Sequence, residues 1–311
     1  MEYKNIALIG AGAVGSYIIW GMSQRKDINF FLVAEGERKE RLQREGIQIN
    51  GIRYSPKVLA SEEANSPDLV IVATKYNGLQ GAADMLEEIC TEDTAVMSLM
   101  NGVDSEEVIA ERIGADAVLP ALIKISSERK GGSVCFHPER TIGIILGETE
   151  EGKCRWGSAR TDAFQRLFSQ TGIHFRVTDV ILSEIWAKFR LNITKNLPQA
   201  VLGCGLGAYD DSEHVRFIME KLGQEVDCIA AAKGIDISLA EPSSSAAGKP
   251  LKTARFSTLQ DLDAKRHTEI DMFSGAVVSM GQALSVPTPY NEMMLHLIKA
   301  LEEKNDGKFE Y

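Results

Sequence analysis

In residues 5–9 (Asn-Ile-Ala-Leu-Ile) the last four form an unbroken apolar run closed by a glycine, which predicts a strand buried on both faces. Gly10-Ala11-Gly12-Ala13-Val14-Gly15 follows, and then Tyr17 to Met22, whose apolar spacing predicts a helix. Phe30-Phe31-Leu32-Val33 predicts a second strand. The alternation continues with a charged surface helix over 39–45 and a short hairpin, 47–49 against 53–54, around Asn50-Gly51. A buried strand over 68–73, a helix near 77–90, a strand over 94–99, a helix over 104–113 and a strand over 117–125 complete a mostly parallel sheet. Residues 134–136 and 141–146 read as a late antiparallel pair, and 160–171 as a helix.

The pattern changes near residue 178. Beyond it strand signals vanish, and helical periodicity runs over 180–197, 211–233, 255–284 and 288–304. Between these lie a glycine-rich turn, Gly203-Cys204-Gly205-Leu206-Gly207, and a loop from Glu241 to Pro250 rich in Ser, Ala and Pro. The acidic end (Glu302, Glu303, Asp306, Glu310) reads as a solvated tail. The expected organisation is a dinucleotide-binding domain over 1–178 and an all-α substrate and catalytic domain over 179–311.

Composition narrows the function classes. With 44% hydrophobic and 25% charged residues the chain has the make-up of a globular protein, and its net charge of −10 argues against nucleic acid or an anionic membrane as partner. The five cysteines (Cys90, Cys135, Cys154, Cys204, Cys228) form no C-x-x-C, and no histidine spacing suggests a metal site. No apolar run reaches membrane-spanning length and no signal region opens the chain, so a cytoplasmic location is expected.

Candidate chemistry begins with the glycines. A strand, then G-x-G-x-x-G, then a helix and a second strand is the context that makes this pattern a dinucleotide fingerprint. Gly10 permits the tight turn, Gly12 lets backbone approach a pyrophosphate, and Gly15 lets helix and strand pack closely. Lys75 and Asn101 sit just past the next two strands, where ligands of such sheets bind; a surface lysine and a turn asparagine are equally good readings. After the second strand, Glu35 suits a ribose 2′-hydroxyl, whereas Arg38 and Lys39 suit a 2′-phosphate, so the cofactor signal is split. In the second half, Lys188, Asn192 and Asn196 drift by about 80° in total along a helix turning about 100° per residue. They make a stripe of one ammonium and two carboxamides, able to grip a small oxyacid and protonate it. For an arbitrary sequence such a stripe is a solvated polar face. Ser257, Asp261 and Glu269 are expected on one side of a later helix, which alone reads as an ordinary amphipathic helix, with His267 exposed.

These motifs fall in one order. Gly10–Gly15, Thr74-Lys75, Asn101-Gly102, the Lys188–Asn192–Asn196 helix, Ser257-x-x-Gln260-Asp261, Thr268-Glu269-Ile270-Asp271 and Pro287-Thr288-Pro289-x-Asn291 together resemble the ketopantoate reductase (2-dehydropantoate 2-reductase) family over essentially the whole chain. The resemblance implies an α/β Rossmann-type N-terminal domain with a mostly parallel sheet, followed by an all-α C-terminal domain. It implies an NADP(H)-dependent oxidoreductase of pantothenate biosynthesis that reduces a 2-oxo acid, 2-dehydropantoate first, and it leaves a homodimer open. Lys188 is implied as proton donor and Glu269 as a catalytic residue near both ligands. Asn192, Asn196 and Ser257 would hold substrate; Gly10, Ala11, Gly12, Ala13, Val14, Gly15, Lys75, Asn101 and Glu269 would serve the cofactor.

The chain departs from the family pattern at two places. Ala34-Glu35 stands where family members commonly carry an arginine, which brings in NAD(H). Asn196-Leu197-Pro198 replaces the usual Asn-Pro, and an asparagine about ten residues on is replaced by an apolar residue near Leu206. The alternative is therefore a D-2-hydroxyacid dehydrogenase for other branched or aromatic 2-oxo acids, with NADH as the other cofactor open to it. A third reading is a non-catalytic NAD(P)-binding sensor, against which Lys188, both amides and Glu269 count.

Overall fold

The computed structural model describes residues 1–130, 132–242 and 251–309, with backbone alone for Glu128, Arg129 and Lys130. Glu310 and most of the Ser/Ala/Pro-rich loop over 241–250 lie outside the described residues. The chain divides into two compact units, residues 1–101 with 105–181, and residues 102–104 with 182–311.

In the first unit β1 (Asn5–Ile9) leads through the glycine turn into α1 (Ala13–Met22), then β2 (Asn29–Val33), α2 (Gly36–Glu45), the hairpin β3 (Ile47–Ile49) and β4 (Ile52–Tyr54), and β5 (Lys57–Leu59). Next come β6 (Leu69–Val72), α3 (Leu79–Ile89), β7 (Ala95–Ser98) and α4 (Ser105–Ile113). The main sheet is parallel throughout, in the order β5-β2-β1-β6-β7. Alternation along β1 explains its position: Ile6 and Leu8 enter a core with α1, while Ala7 and Ile9 enter another with α3 and α4. The same holds for Leu69 and Ile71 against Val70 and Val72. The hairpin turns at Asn50 (φ 50°) and Gly51 (φ 79°), the left-handed pair that Asn-Gly favours.

Two expectations fail in the following stretch. The strand expected over 117–125 does not complete the main sheet. Val118 makes one isolated bridge to Val96, and then Pro120, with no N–H to offer, ends the ladder. Beyond it β8 (Ala121–Lys124) belongs to a separate sheet, β12-β11-β8, with β11 (Gly143–Leu146) and β12 (Phe175–Val177). Nor do 134–136 and 141–146 pair with each other. β10 (Ser133–Phe136) instead runs antiparallel to β9 (Ser127–Lys130) and parallel to β3, because β9 is its immediate neighbour across a short turn. α5 (Glu150–Trp156) and α6 (Ala159–Phe168) close the unit, and Phe164, Leu167 and Phe168 of α6 join the α1-side core.

The second unit is helical among its described residues. It contains α7 (Ile181–Leu191), whose first residue groups with the first unit, a π-helical turn (Asn192–Asn196), α8 (Leu197–Leu202), α9 (Ala208–Asp211) and α10 (Glu213–Ala232). α11 (Ser257–Asp263), a second π turn (Asp271–Gly275), α12 (Ala276–Leu284) and α13 (Pro289–Asn305) follow. The helix expected over 255–284 is broken. Lys265 takes the left-handed conformation (φ 52°), Arg266 N–H reaches back to the Asp261 carbonyl at 2.8 Å, and Lys265 N–H to Leu262 at 3.0 Å. That is a Schellman stop with lysine at the position usually held by glycine, so no sequence signal marked it. Ser257 and Asp261 therefore share a helix, but Glu269 does not lie on it.

The acidic end is also not simply a solvated tail. Glu302 on α13 is buried, and one carboxylate oxygen accepts from the Thr268 N–H (2.7 Å) and hydroxyl (2.6 Å). No described helix is long and apolar enough to cross a membrane, and no described group of His, Cys, Asp or Glu is arranged to hold a metal ion.

Candidate functional site

In the first unit, the candidate residues gather along the carboxyl edge of the main sheet. The chain runs from β1 to β2 on one side and returns to β6 and β7 on the other, so the order reverses between β1 and β6. Ligands of open parallel sheets bind at such a switch point. Gly10 follows β1, Lys75 follows β6, and Asn101 follows β7. Gly10 has φ 109°, and a Cβ there would stand 2.5 Å from the Ala73 backbone. A Cβ on Gly15 would stand 1.9 Å from the Gly10 carbonyl oxygen. Both glycines are thus demanded by internal packing. Gly12 is different: a Cβ there would meet nothing within 4 Å. No packing inside the chain requires that glycine, whereas a ligand coming close to the backbone would. Gly12 is also the N-cap of α1, which carries no side-chain cap and no acid in its first turn, leaving its N–H groups and positive end for an anion. The turn fits a dinucleotide pyrophosphate.

Lys75 is exposed as N-cap of a 3₁₀ turn (Tyr76–Gly78), and Asn101 is half-buried ahead of Gly102 (φ 91°). Glu35, at the end of β2, is held in place: one carboxylate oxygen accepts from the Ser61 N–H (2.7 Å) and hydroxyl (2.9 Å). Lys39 pairs with Glu63 at 2.5 Å, while Arg38 is exposed in the first turn of α2.

In the second unit, Lys188 and Asn192 are half-buried and Asn196 is buried, so the stripe sinks into the protein along its length. It does not lie on one regular α-helix. Asn192–Asn196 is a π turn, which winds less per residue and so offsets the overshoot of about 40° that each four-residue step gives an α-helix. The two asparagines are better aligned than α spacing allows. Several groups hold the turn. The Thr194 hydroxyl donates to the Arg190 carbonyl (2.8 Å), and the Tyr209 hydroxyl donates to the Lys195 carbonyl (2.5 Å). The Lys195 ammonium lies 4.2 Å over the Tyr209 ring, and burial lowers its pKa from the ordinary lysine value, against the pull of Asp210.

The π turn packs on α10, on α11 and on the second π turn. Ser257, exposed at the start of α11, therefore belongs to an element that touches the stripe's own, and Glu269, half-buried, lies two residues ahead of another, the second π turn. Thr268, fixed by Glu302, precedes Glu269 directly. Asn291, in the late Pro-Thr-Pro-x-Asn pattern, proves to be a lock. Fully buried, it takes the Ser274 hydroxyl at 3.0 Å and donates to Glu225 at 2.7 Å, tying the second π turn to α10 and α13.

A family model described as "Ketopantoate reductase PanE/ApbA" matches residues 6–150, and its companion, "Ketopantoate reductase PanE/ApbA C terminal", matches residues 180–302. The chain belongs to the ketopantoate reductase family. It is an oxidoreductase, and the coarse activity that its relatives support is reduction of a 2-oxo acid. A 2-dehydropantoate 2-reductase of Pyrococcus horikoshii is 28% identical over 312 residues, covering 97% of this chain and 99% of the relative. Among solved structures, a PanE/ApbA family ketopantoate reductase from Ralstonia eutropha superposes with a TM-score of 0.76 at 25% identity, covering 97% of this chain and 99% of that one. D-Mandelate dehydrogenase, solved with NADH and anilino(oxo)acetate, gives a TM-score of 0.80 at 22% identity with the same coverage, a likeness of fold.

Residues that sequence reasoning passed over are Gln199 and Tyr209. Their signal was faint: one polar side chain in the otherwise apolar Leu197–Leu202, and an aromatic after a glycine-rich turn.

Proposed function

We propose that this chain reduces 2-dehydropantoate to the 2-hydroxy acid, with a nicotinamide dinucleotide held at the Gly10–Gly15 turn of the first unit and the oxo acid held by residues of the second. A bound nicotinamide supplies the hydride. Hydride addition at the keto carbon puts negative charge on its oxygen. The Lys188 ammonium stabilises that charge and gives the oxygen its proton, while Asn192, Asn196 and Ser257 bind the acid by hydrogen bonds and Glu269 completes the set as an acceptor. Lys75 and Asn101 are assigned to the cofactor. The observation that carries this reading is the aligned, progressively buried Lys188–Asn192–Asn196 stripe.

NADPH is the cofactor proposed first. Glu35, held by Ser61 where a ribose hydroxyl would be read, favours NADH as the second reading. For the substrate, the second reading is a D-2-hydroxyacid dehydrogenase acting on acids without a terminal hydroxyl. Pro198 is buried and Leu206 half-buried, and neither side chain offers a hydrogen bond to such a hydroxyl.

One assay separates these readings: oxidation of NADPH and of NADH with 2-dehydropantoate, 2-oxoisovalerate, 2-oxoisocaproate and phenylglyoxylate. The expected result is the largest kcat/KM with 2-dehydropantoate. A larger value for an acid without the hydroxyl moves the assignment to the second reading, and no oxidation with any of them overturns the proposal.

The cradle has its own test. Gly12→Ala meets no protein atom and costs only what alanine costs at an N-cap, about 1 kcal/mol or less, so Tm of the ligand-free protein falls by no more than a few degrees, while Kd for the dinucleotide rises by about tenfold or more. Unchanged dinucleotide affinity removes the cofactor from this turn.

A further inference from the structure

The turn Gly203–Gly207 and the segment 251–256 form a structure that the proposed chemistry has not yet used. Gln199 on α8 is fully buried. Its side-chain Nε2 donates to the Ala254 carbonyl at 3.0 Å, and its Oε1 accepts from the Phe256 N–H at 2.6 Å. One partner is an acceptor and the other a donor, so the amide has one orientation that satisfies both. The same Ala254 carbonyl takes the Leu206 N–H at 3.1 Å, and the Lys252 carbonyl takes the Gly207 N–H at 2.8 Å. The glycines allow this approach: a Cβ on Gly205 would stand 2.4 Å from the Lys252 carbonyl oxygen and 2.9 Å from the Thr253 Cα. The segment is thus sewn to the end of α8 by one buried side chain and by the turn.

The segment runs directly into α11, whose first residue is Ser257. Phe256, held through its N–H, is the N-cap of that helix. At the other end, Gln199 lies three residues after Asn196 on the same continuous helical path. A rigid amide therefore spans the short interval between two residues assigned to the oxo acid, with no flexible chain between it and either.

We infer that Gln199 is a positioning residue for oxo-acid binding, its amide setting Ser257 against Asn196. The inference rests on the reading of Asn196 and Ser257 given above. Both hydrogen bonds of the Gln199 amide go to backbone, and it acts through Ser257. Without it α11 keeps its helix, but the serine hydroxyl loses its fixed place, and small misplacements at a site of this kind carry large kinetic effects.

The test is a double-mutant cycle on the full-length enzyme with its best oxo acid and cofactor. Gln199→Met keeps the volume and removes both hydrogen bonds. It is expected to raise KM for the oxo acid about tenfold, leave kcat within about twofold, and leave KM for the nicotinamide unchanged. In a Ser257→Ala background the same change is expected to add less than about twofold, since the group it positions is gone. A full tenfold effect persisting in that background overturns the inference, as does a joint shift of kcat and both KM values. A normal KM in Gln199→Met beside a raised one in Ser257→Ala overturns it alone and leaves the site reading standing. An unchanged KM in Ser257→Ala overturns the Ser257 assignment and the inference with it. If Gln199→Met does not fold, Gln199→Asn takes its place: one methylene shorter, it cannot reach Ala254 and Phe256 together, and it must show the same split between KM and kcat.

Discussion

Replacing Lys188 by alanine lowers kcat by at least about 100-fold while the nicotinamide cofactor binds with wild-type affinity. The size follows from what the ammonium is assigned to do. It meets charge that exists on the keto oxygen only as hydride arrives, so its loss falls on the transition state, and kcat and kcat/KM fall together. Lys188→Arg sharpens the test. A guanidinium keeps the positive charge but does not surrender its proton at neutral pH, so this variant stays strongly impaired although charge is retained. Single-turnover hydride transfer with saturating oxo acid gives the chemical step, and calorimetric titration of the dinucleotide gives the binding control. A near-normal kcat in Lys188→Ala removes the proton donor from the proposed mechanism. Loss of cofactor affinity in parallel would move Lys188 from acid to structural support.

How far this site could be read in the sequence depends on whether the signal was local. β1 and β6 are short strands buried on both faces, and their continuous apolar runs admit few other readings. Gly10 and Gly15 were legible because the same turn that a dinucleotide needs also requires them for packing. The pairing errors have a non-local cause. Residues 134–136 and 141–146 look like neighbours along the chain, but each finds its partners in β9 and β3, or in β8 and β12, which periodicity over so few residues cannot assign. In the helical half the stripe was visible as spacing, but not its π turn, whose cause is packing against α10 and hydrogen bonds from Thr194 and Tyr209. Lys265 in the left-handed conformation conceals a helix stop that glycine would have announced, and so the sequence reading carries Glu269 on a helix that ends before it. Gln199 was missed because its partners are backbone atoms more than fifty residues away, which no motif records.

Arg160→Met is the substitution expected to cost the most stability. Arg160 opens α6 fully buried, and its guanidinium meets the Glu148 carboxylate in a two-pronged pair, with Nε to Oε1 at 2.9 Å. It also donates to the carbonyls of Asp116 (2.8 Å) and Val118 (3.3 Å), so one side chain joins α6, the end of β11 and the chain entering β8. The Glu148 side chain is only 3% exposed. Removing its partner leaves a carboxylate buried without compensation, a loss of about 3–5 kcal/mol. At about 2–4 °C per kcal/mol, that lowers Tm by roughly 6–20 °C. The cost lies chiefly in the orphaned charge, so Arg160→Met combined with Glu148→Leu recovers most of it; the remainder reflects the Val118 carbonyl left without this donor, and the Asp116 carbonyl left with the Trp156 indole N–H alone. Assayed well below the transition, the single variant keeps kcat close to wild type, because neither residue is assigned to substrate or cofactor. Thermal unfolding of the wild type, the single and the double variant decides the matter: a double variant no more stable than the single places the cost in lost packing rather than in the unpaired carboxylate.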